Sequence, residues 1–191
     1  MSSSKPIIAV DMDEVIADAL GEHLLRYNRD FAHEGTPALT TRDLRGKWMW
    51  DVVPAHRLAT VQSYIESEDF FAVLPVMPDA QRVLERLQSR YEIFIATAAM
   101  EVPHSFTAKY DWLAEHFPFI PTSNIVFCGD KSIIRADYLI DDNPRQLTRF
   151  SATKPGEARR EGILYTSPAN VHVTEYRRVD NWLEVEAMFL G

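Results

Sequence analysis

Four short apolar runs, each leading into acidic, hydroxyl or ammonium groups, constrain this chain more than any other feature. Residues 7–12 (IIAVDM) carry Asp11 and are followed by Asp13, and residues 91–97 (YEIFIAT) end on Thr97. Residues 124–128 (NIVFC) lead to Asp130 and Lys131, and residues 138–140 (YLI) run into Asp141 and Asp142. Short β-branched runs without polar alternation read as strands buried on both faces. A fifth strand is predicted at residues 162–166 (GILYT). Helical spacing separates these runs, with Ala80, Val83, Leu84 and Leu87 on one face of a predicted helix over 79–90. Further helices are predicted over 105–116 and 181–190. Strands alternating with helices imply an α/β domain, a doubly wound and mostly parallel sheet wrapped on both faces.

In such sheets ligands sit outside the carboxyl ends of the strands. All the polar groups named above would therefore meet in one crevice. Singly, each has a plainer reading: an Asp after a strand is commonly a helix cap, and an Asp-Asp-Asn-Pro run is commonly a turn. Together they describe a site. Converging carboxylates raise one another's pKa unless a cation neutralises them. Oxygen ligands without nearby His or Cys favour a hard ion, so Mg²⁺ is the expected metal. A phosphoryl group could then bridge to Mg²⁺ while Lys131 and Thr97 hold its other oxygens. Asp11 and Asp13 supply one carboxylate to attack phosphorus and another to protonate the leaving oxygen.

One interval breaks the alternation. Roughly 65 residues separate the first strand from the helix at 79, where a crossover needs only about a dozen. Periodic apolar positions from Val15 to Phe31, and a second predicted helix over 54–67, make this surplus helical. It reads as a small helical insertion after the first strand, residues 16–77, closing over a core of residues 1–15 and 78–191.

The rest of the sequence mainly excludes. Its 7 glycines are too widely spaced for a dinucleotide fingerprint or a Walker loop. The single cysteine, Cys128, rules out an internal disulfide and every CxxC site, and reads as a small core residue. The histidines show no zinc-binding spacing. Against 28 acidic residues stand 20 basic ones, for a net charge of −8. That balance argues against a nucleic-acid polymer or an anionic membrane as partner. No apolar run is long enough to span a bilayer, and the first residues (MSSSKP) lack a secretion signal, so a cytoplasmic location is expected.

The residues of the crevice, Asp11-Met12-Asp13, Thr97, Lys131 and Asp141-Asp142, occur in the order of the four motifs of the haloacid-dehalogenase-like phosphohydrolases, which the chain resembles. Residues 11–18 (DMDEVIAD), Lys47-Trp48-Met49, Phe70-Phe71, residues 110–113 (YDWL), 130–134 (DKSII) and 139–144 (LIDDNP) are similar to the 5'(3')-deoxyribonucleotidase family. The resemblance covers nearly the whole chain. It implies a Rossmann-type core with a helical cap, and Mg²⁺-dependent hydrolysis of a nucleoside monophosphate, a small-molecule substrate, through an aspartyl-phosphate. It also allows a homodimer. It makes Asp11 the nucleophile and Asp13 the general acid/base. Metal would be held by Asp11, the Asp13 main-chain carbonyl and Asp142, with Asp141 in support. Thr97, Ala98 and Lys131 fall where substrate phosphate binds; Trp48, Met49 and Phe70 fall where cap and core close on the nucleoside.

Mammalian members of the family have Gly at the position of Glu14, an aromatic at Ala19 and Lys47, Ser-Pro at Ala98-Ala99, and Arg at Gly129. These departures touch substrate contacts and leave the catalytic groups intact. Plainer readings are kept for the remaining side chains: cap–core packing for Trp50 and Phe71, and for Trp48 as an equal alternative to base stacking; a solvated surface for Lys47 and for Arg159-Arg160. Two other functions fit the same residues. One is a phosphatase for another small phosphate ester. The other is a non-enzymatic phospho-acceptor module of the receiver type, against which stand the late position of the acidic pair and the insertion.

Overall fold

Ile8, Ala9 and Val10 have no exposed surface, and that is what an all-apolar strand needs at the centre of a sheet. This strand, β1 (Ile7–Val10), pairs in parallel with β2 (Glu92–Thr97) on one side and β4 (Tyr138–Asp141) on the other. Ile8 is level with Ile93 and with Tyr138. The computed structural model describes residues 5–33, 35–152 and 159–191. With β3 (Ile125–Phe127), β5 (Glu161–Tyr165) and β6 (Arg177–Val179), the sheet is six-stranded and parallel throughout, in the order β3-β2-β1-β4-β5-β6. Strand order reverses between β1 and β4, and a crevice opens outside their carboxyl ends. The Asp11 amide extends the ladder beyond β1 by donating to the Ile140 carbonyl at 2.9 Å. That bond sets Asp11 beside the end of β4.

The helices are α1 (Ala19–Phe31), α2 (Met49–Val52), α3 (Leu58–Tyr64), α4 (Ala80–Leu87), α5 (Ser105–His116), α6 (Pro144–Ser151) and α7 (Trp182–Leu190). The predicted helix from Val15 starts later, at Ala19. Val15 and Ile16 are consumed by a turn on the Met12 carbonyl and buried in the core, and Asp18 caps α1 by accepting from the Gly21 amide at 2.8 Å. The helix predicted over 54–67 divides into a 3-10 turn, Ala55–Arg57, and α3. The two chain segments that join α1–α3 to the sheet run side by side: Asp18 donates to the Pro75 carbonyl and Met77 to that of Ile16, each at 2.9 Å.

Three of these elements, α2, β6 and α6, lie outside the sequence expectations. β6 is a three-residue edge strand in which only Val179 is buried, too little apolar pattern to read. α6 begins at Pro144 with Asn143 as its cap, and turns Gln146, Leu147 and Phe150 inward. Arg160 departs from the solvated-loop reading. It donates to the Ser132 and Ile134 carbonyls at 2.8 and 3.2 Å and covers the Phe150 ring at 4.8 Å. Cys128 is buried, in accord with its core reading.

Candidate active site

The strand ends converge as the topology requires. Asp11, Asp141 and Asp142 each bring a carboxylate oxygen within 4.8 Å of the others, and all three are buried. Lys131, from the 3-10 turn Lys131–Ile133, lies between two of them, its Nζ 2.6 Å from Asp11 Oδ1 and 2.6 Å from Asp141 Oδ2. Gln146 of α6 fixes the Lys131 backbone: its Oε1 accepts from the Lys131 amide at 3.2 Å, and its Nε2 donates to the Gly129 carbonyl at 2.9 Å.

Two of the three buried carboxylates, Asp11 and Asp141, share this one ammonium. Burial pushes the Asp11 carboxyl up to about 7 against the pull of Lys131, with Asp141 and Asp13 adding to the rise. Burial also carries Asp142 well above the carboxylate range, followed by repulsion from Asp141 and Asp11, with Ser167 opposing. Burial weakens the Lys131 ammonium, but Asp11 and Asp141 outweigh it and hold its pKa above the ordinary lysine value. Asp141 has both oxygens engaged, the second accepting from the Asn143 amide at 2.8 Å. Asp11 and Asp142 retain oxygens for a ligand. An all-oxygen, anionic donor set of this kind fits a hard divalent cation.

Asp13 faces the other way. Its Oδ2 lies 2.5 Å from Lys109 Nζ, and its Oδ1 is buried without a hydrogen-bond partner. The Asp13 side chain therefore stands outside the acid cluster, paired to a lysine; the predicted metal contact there concerned its main-chain carbonyl. Lys109 also donates to Thr97 Oγ1 at 3.0 Å and sits 4.5 Å from the Phe71 ring centroid. Sequence reasoning passed over Lys109. The available signal was its place at helical spacing with Ser105, Trp112 and Leu113, which makes it a lysine on the buried face of α5.

Above these groups opens a cavity of about 540 Å³. Of the expected residues, Asp11, Asp13, Lys131, Asp142, Ala98, Trp48, Met49 and Phe70 line it; Thr97 is fully buried behind it. Phe70 and Met49 supply buried apolar wall. Trp50 departs from the packing reading: it is 60% exposed and stacked on Trp48, with ring centroids 5.2 Å apart and an 8° interplanar angle. Met49, between them, takes the inward position. Phe71 is buried as expected. Lys47 is exposed and also borders the cavity. Glu14 adopts φ +61°, the left-handed region that favours glycine, and its Oε1 accepts from the Leu20 amide at 2.5 Å. Burial, opposed by that amide, pushes its carboxyl up to about 8.

His23 on α1 also faces the cavity, its ring 4.8 Å from that of Phe70. Burial lowers its pKa from 6.5 to about 4 despite the Val61 backbone acceptor. A depressed histidine contributes stability that is complete above its unfolded pKa and is lost as pH falls toward the folded one. Urea melts between pH 7 and pH 4 are expected to show the wild type losing about 3 kcal/mol more than His23→Phe across that window. Parallel curves would contradict this.

The chain is similar to known proteins over nearly its whole length. Residues 5–191 match the family model described as 5' nucleotidase, deoxy (pyrimidine), cytosolic type C protein (NT5C). A Staphylococcus aureus protein named provisionally as a 5'(3')-deoxyribonucleotidase is 42% identical over 183 residues, covering 96% of this chain and 94% of that protein. The 5'(3')-deoxyribonucleotidase of Bacillus subtilis is 36% identical over 187 residues, covering 97% and 99%. A haloacid dehalogenase-like hydrolase from Streptococcus pneumoniae shares the fold with a TM-score of 0.60 at 15% identity, covering 99% of this chain and 100% of that one. Matched over residues 5–191 by that family model and 36–42% identical to these relatives over nearly its whole length, the chain belongs to the cytosolic type C 5' nucleotidase family.

Proposed function

We propose that this protein is an Mg²⁺-dependent phosphomonoesterase that hydrolyses deoxyribonucleoside monophosphates in the cytoplasm, through an aspartyl-phosphate on Asp11. The observation that carries the reading is the pairing of a buried, lysine-held Asp11 with a separately held Asp13 at the base of a cavity with an apolar upper wall. The size of that cavity suits a small molecule. Asp11, Asp142 and the Asp13 carbonyl would hold Mg²⁺, which when bound neutralises the carboxylates and the charge of the phosphoryl group.

In this reading Asp11 attacks phosphorus in line, and the bond to the leaving oxygen breaks as Asp13 delivers its proton there. Asp13, now ionised, takes a proton from the water that hydrolyses the acyl-phosphate, which frees phosphate and restores both carboxyls. Lys131 and Lys109 offer ammonium groups to the phosphoryl oxygens, and Thr97 acts by holding Lys109. Residues 16–77 form the cap. Trp48, Met49 and Phe70 take the nucleoside, where aromatic stacking on a base contributes about 1–3 kcal/mol.

The test is phosphate release from a panel of nucleoside and sugar monophosphates, with Mg²⁺ and with EDTA. Deoxyribonucleotides are expected to lead in kcat/KM, and EDTA to abolish turnover. Full metal-free activity would sink the mechanism. A sugar phosphate ahead of every nucleotide would favour the second reading, a phosphatase for another small ester, which Ala19 and the exposed Lys47 support. Family membership leaves no place for the receiver-like alternative.

A further inference from the structure

One carboxamide that does not border the cavity is tied directly to the acid cluster. Asn170 ends the 3-10 turn Pro168–Asn170 beyond β5 and is 2% exposed. Its Nδ2 donates to the Asp142 carbonyl and to the Tyr165 carbonyl, each at 2.8 Å. Its Oδ1 accepts from the Ser167 amide at 3.2 Å and from Arg178 Nη1 at 3.0 Å. A carboxamide offers two donors and an oxygen with two lone pairs, so Asn170 is fully used. The opposite amide orientation would set its oxygen against two carbonyls.

Asp142 is the first residue past β4, and the parallel register with β5 ends one residue earlier, at Asp141 and Leu164. The Asn170 amide thus takes over where the sheet stops. Arg178 of β6 holds Asn170 in turn. Its Nη1 also reaches Thr166 Oγ1 at 2.9 Å, and its Nη2 donates to the Asn170 and Val173 carbonyls at 3.0 and 2.5 Å. Ser167, whose amide Asn170 accepts, borders the cavity with Asp142.

We propose that Asn170, oriented by Arg178, is a positioning residue for divalent-cation binding, fixing the Asp142 backbone so that its carboxylate converges with that of Asp11. The inference rests on the metal reading above. Physically, Lys131 pairs with Asp11 and Asp141, whereas the Asp142 carboxylate is repelled by both, so its convergence with Asp11 depends on a held backbone. Holding it in advance removes an ordering cost from binding. The short edge strand β6, remote from the reacting atoms, thereby acquires a role in metal affinity.

Isothermal titration calorimetry with MgCl₂, without substrate, tests this on the whole protein. The wild type is expected to bind Mg²⁺, and Asn170→Ala to bind it roughly 10–100-fold more weakly, as for other partners that orient metal ligands. Arg178→Gln leaves Asn170 in place but unclamped, and is expected to weaken binding less, in the same direction. If Asn170→Ala does not fold, Arg178→Gln carries the test. Val83→Ala truncates the core in α4, none of whose residues lines the cavity, and is expected to lower stability with Mg²⁺ affinity unchanged. Variants that bind as tightly as the wild type would overturn the proposal. So would an equal loss in Val83→Ala, which would mark general loosening. A wild type that binds no Mg²⁺ would instead remove the metal reading itself, and this inference with it.

Discussion

Asp11→Asn is expected to lower phosphate release by about four orders of magnitude or more, the scale on which loss of a nucleophile acts, while the protein stays folded. An amide cannot form the acyl-phosphate, and the neighbouring carboxylates are otherwise committed: Asp141 has both oxygens engaged, Asp13 is held by Lys109, and Asp142 belongs to the proposed metal site. The structural consequence should be slight. Lys131 loses one partner but keeps Asp141 at 2.6 Å, and the substitution removes a carboxyl whose ionisation burial already resists. Without Mg²⁺, the melting temperature is therefore expected to hold or rise, because repulsion toward Asp141 and Asp142 is relieved. Steady-state kinetics and thermal melts on the same preparation check both halves. Retention of more than a few per cent of wild-type kcat would remove Asp11 from the role of nucleophile.

The strands that build this site were legible because their apolar runs close on polar residues, although β3, at the sheet edge, is only half-buried. Ile8, Ala9 and Val10 before Asp11 are the clearest case. The start of α1 was not legible from periodicity: Val15 and Ile16 continue the apolar spacing, yet they pack in a turn below the helix, and only Asp18 marks the true cap. Lys109 and Asn170 escaped for a related reason. Their importance lies in what they bond across the fold, 96 residues away in the case of Asp13, and no local pattern encodes such a partner. Trp50 shows the opposite error. A tryptophan next to a buried Met49 invites a packing role, but the backbone turns one of them inward and leaves the other 60% exposed.

Lys131→Met is the variant with the largest expected effect on stability, a loss of about 3–5 kcal/mol at pH 7 in EDTA, the range for removing one partner of a buried ion pair. Lys131 is 2% exposed and shared between Asp11 and Asp141, so water cannot take its place. Lys109 makes the instructive contrast. Its partner Asp13 has a side chain 36% exposed, and hydration offsets much of a lost ammonium there. Without Lys131, the Asp11 carboxyl loses the ammonium that opposes its burial and rises still further. A group whose folded pKa stands above its unfolded value loses stability as pH rises between the two. The deficit of Lys131→Met should accordingly be smallest below pH 7, where Asp11 holds its proton in the wild type as well, and grow as pH rises above 7, where only the wild type stabilises the ionised carboxylate. Mg²⁺ should shrink it too, by supplying to Asp11 the charge that the ammonium supplied. Urea unfolding at about pH 6, 7 and 8.5, with and without MgCl₂, separates these effects. A variant as stable as the wild type at pH 7 in EDTA would mean that the carboxylates are already protonated in the unliganded protein, so that Lys131 serves the substrate alone.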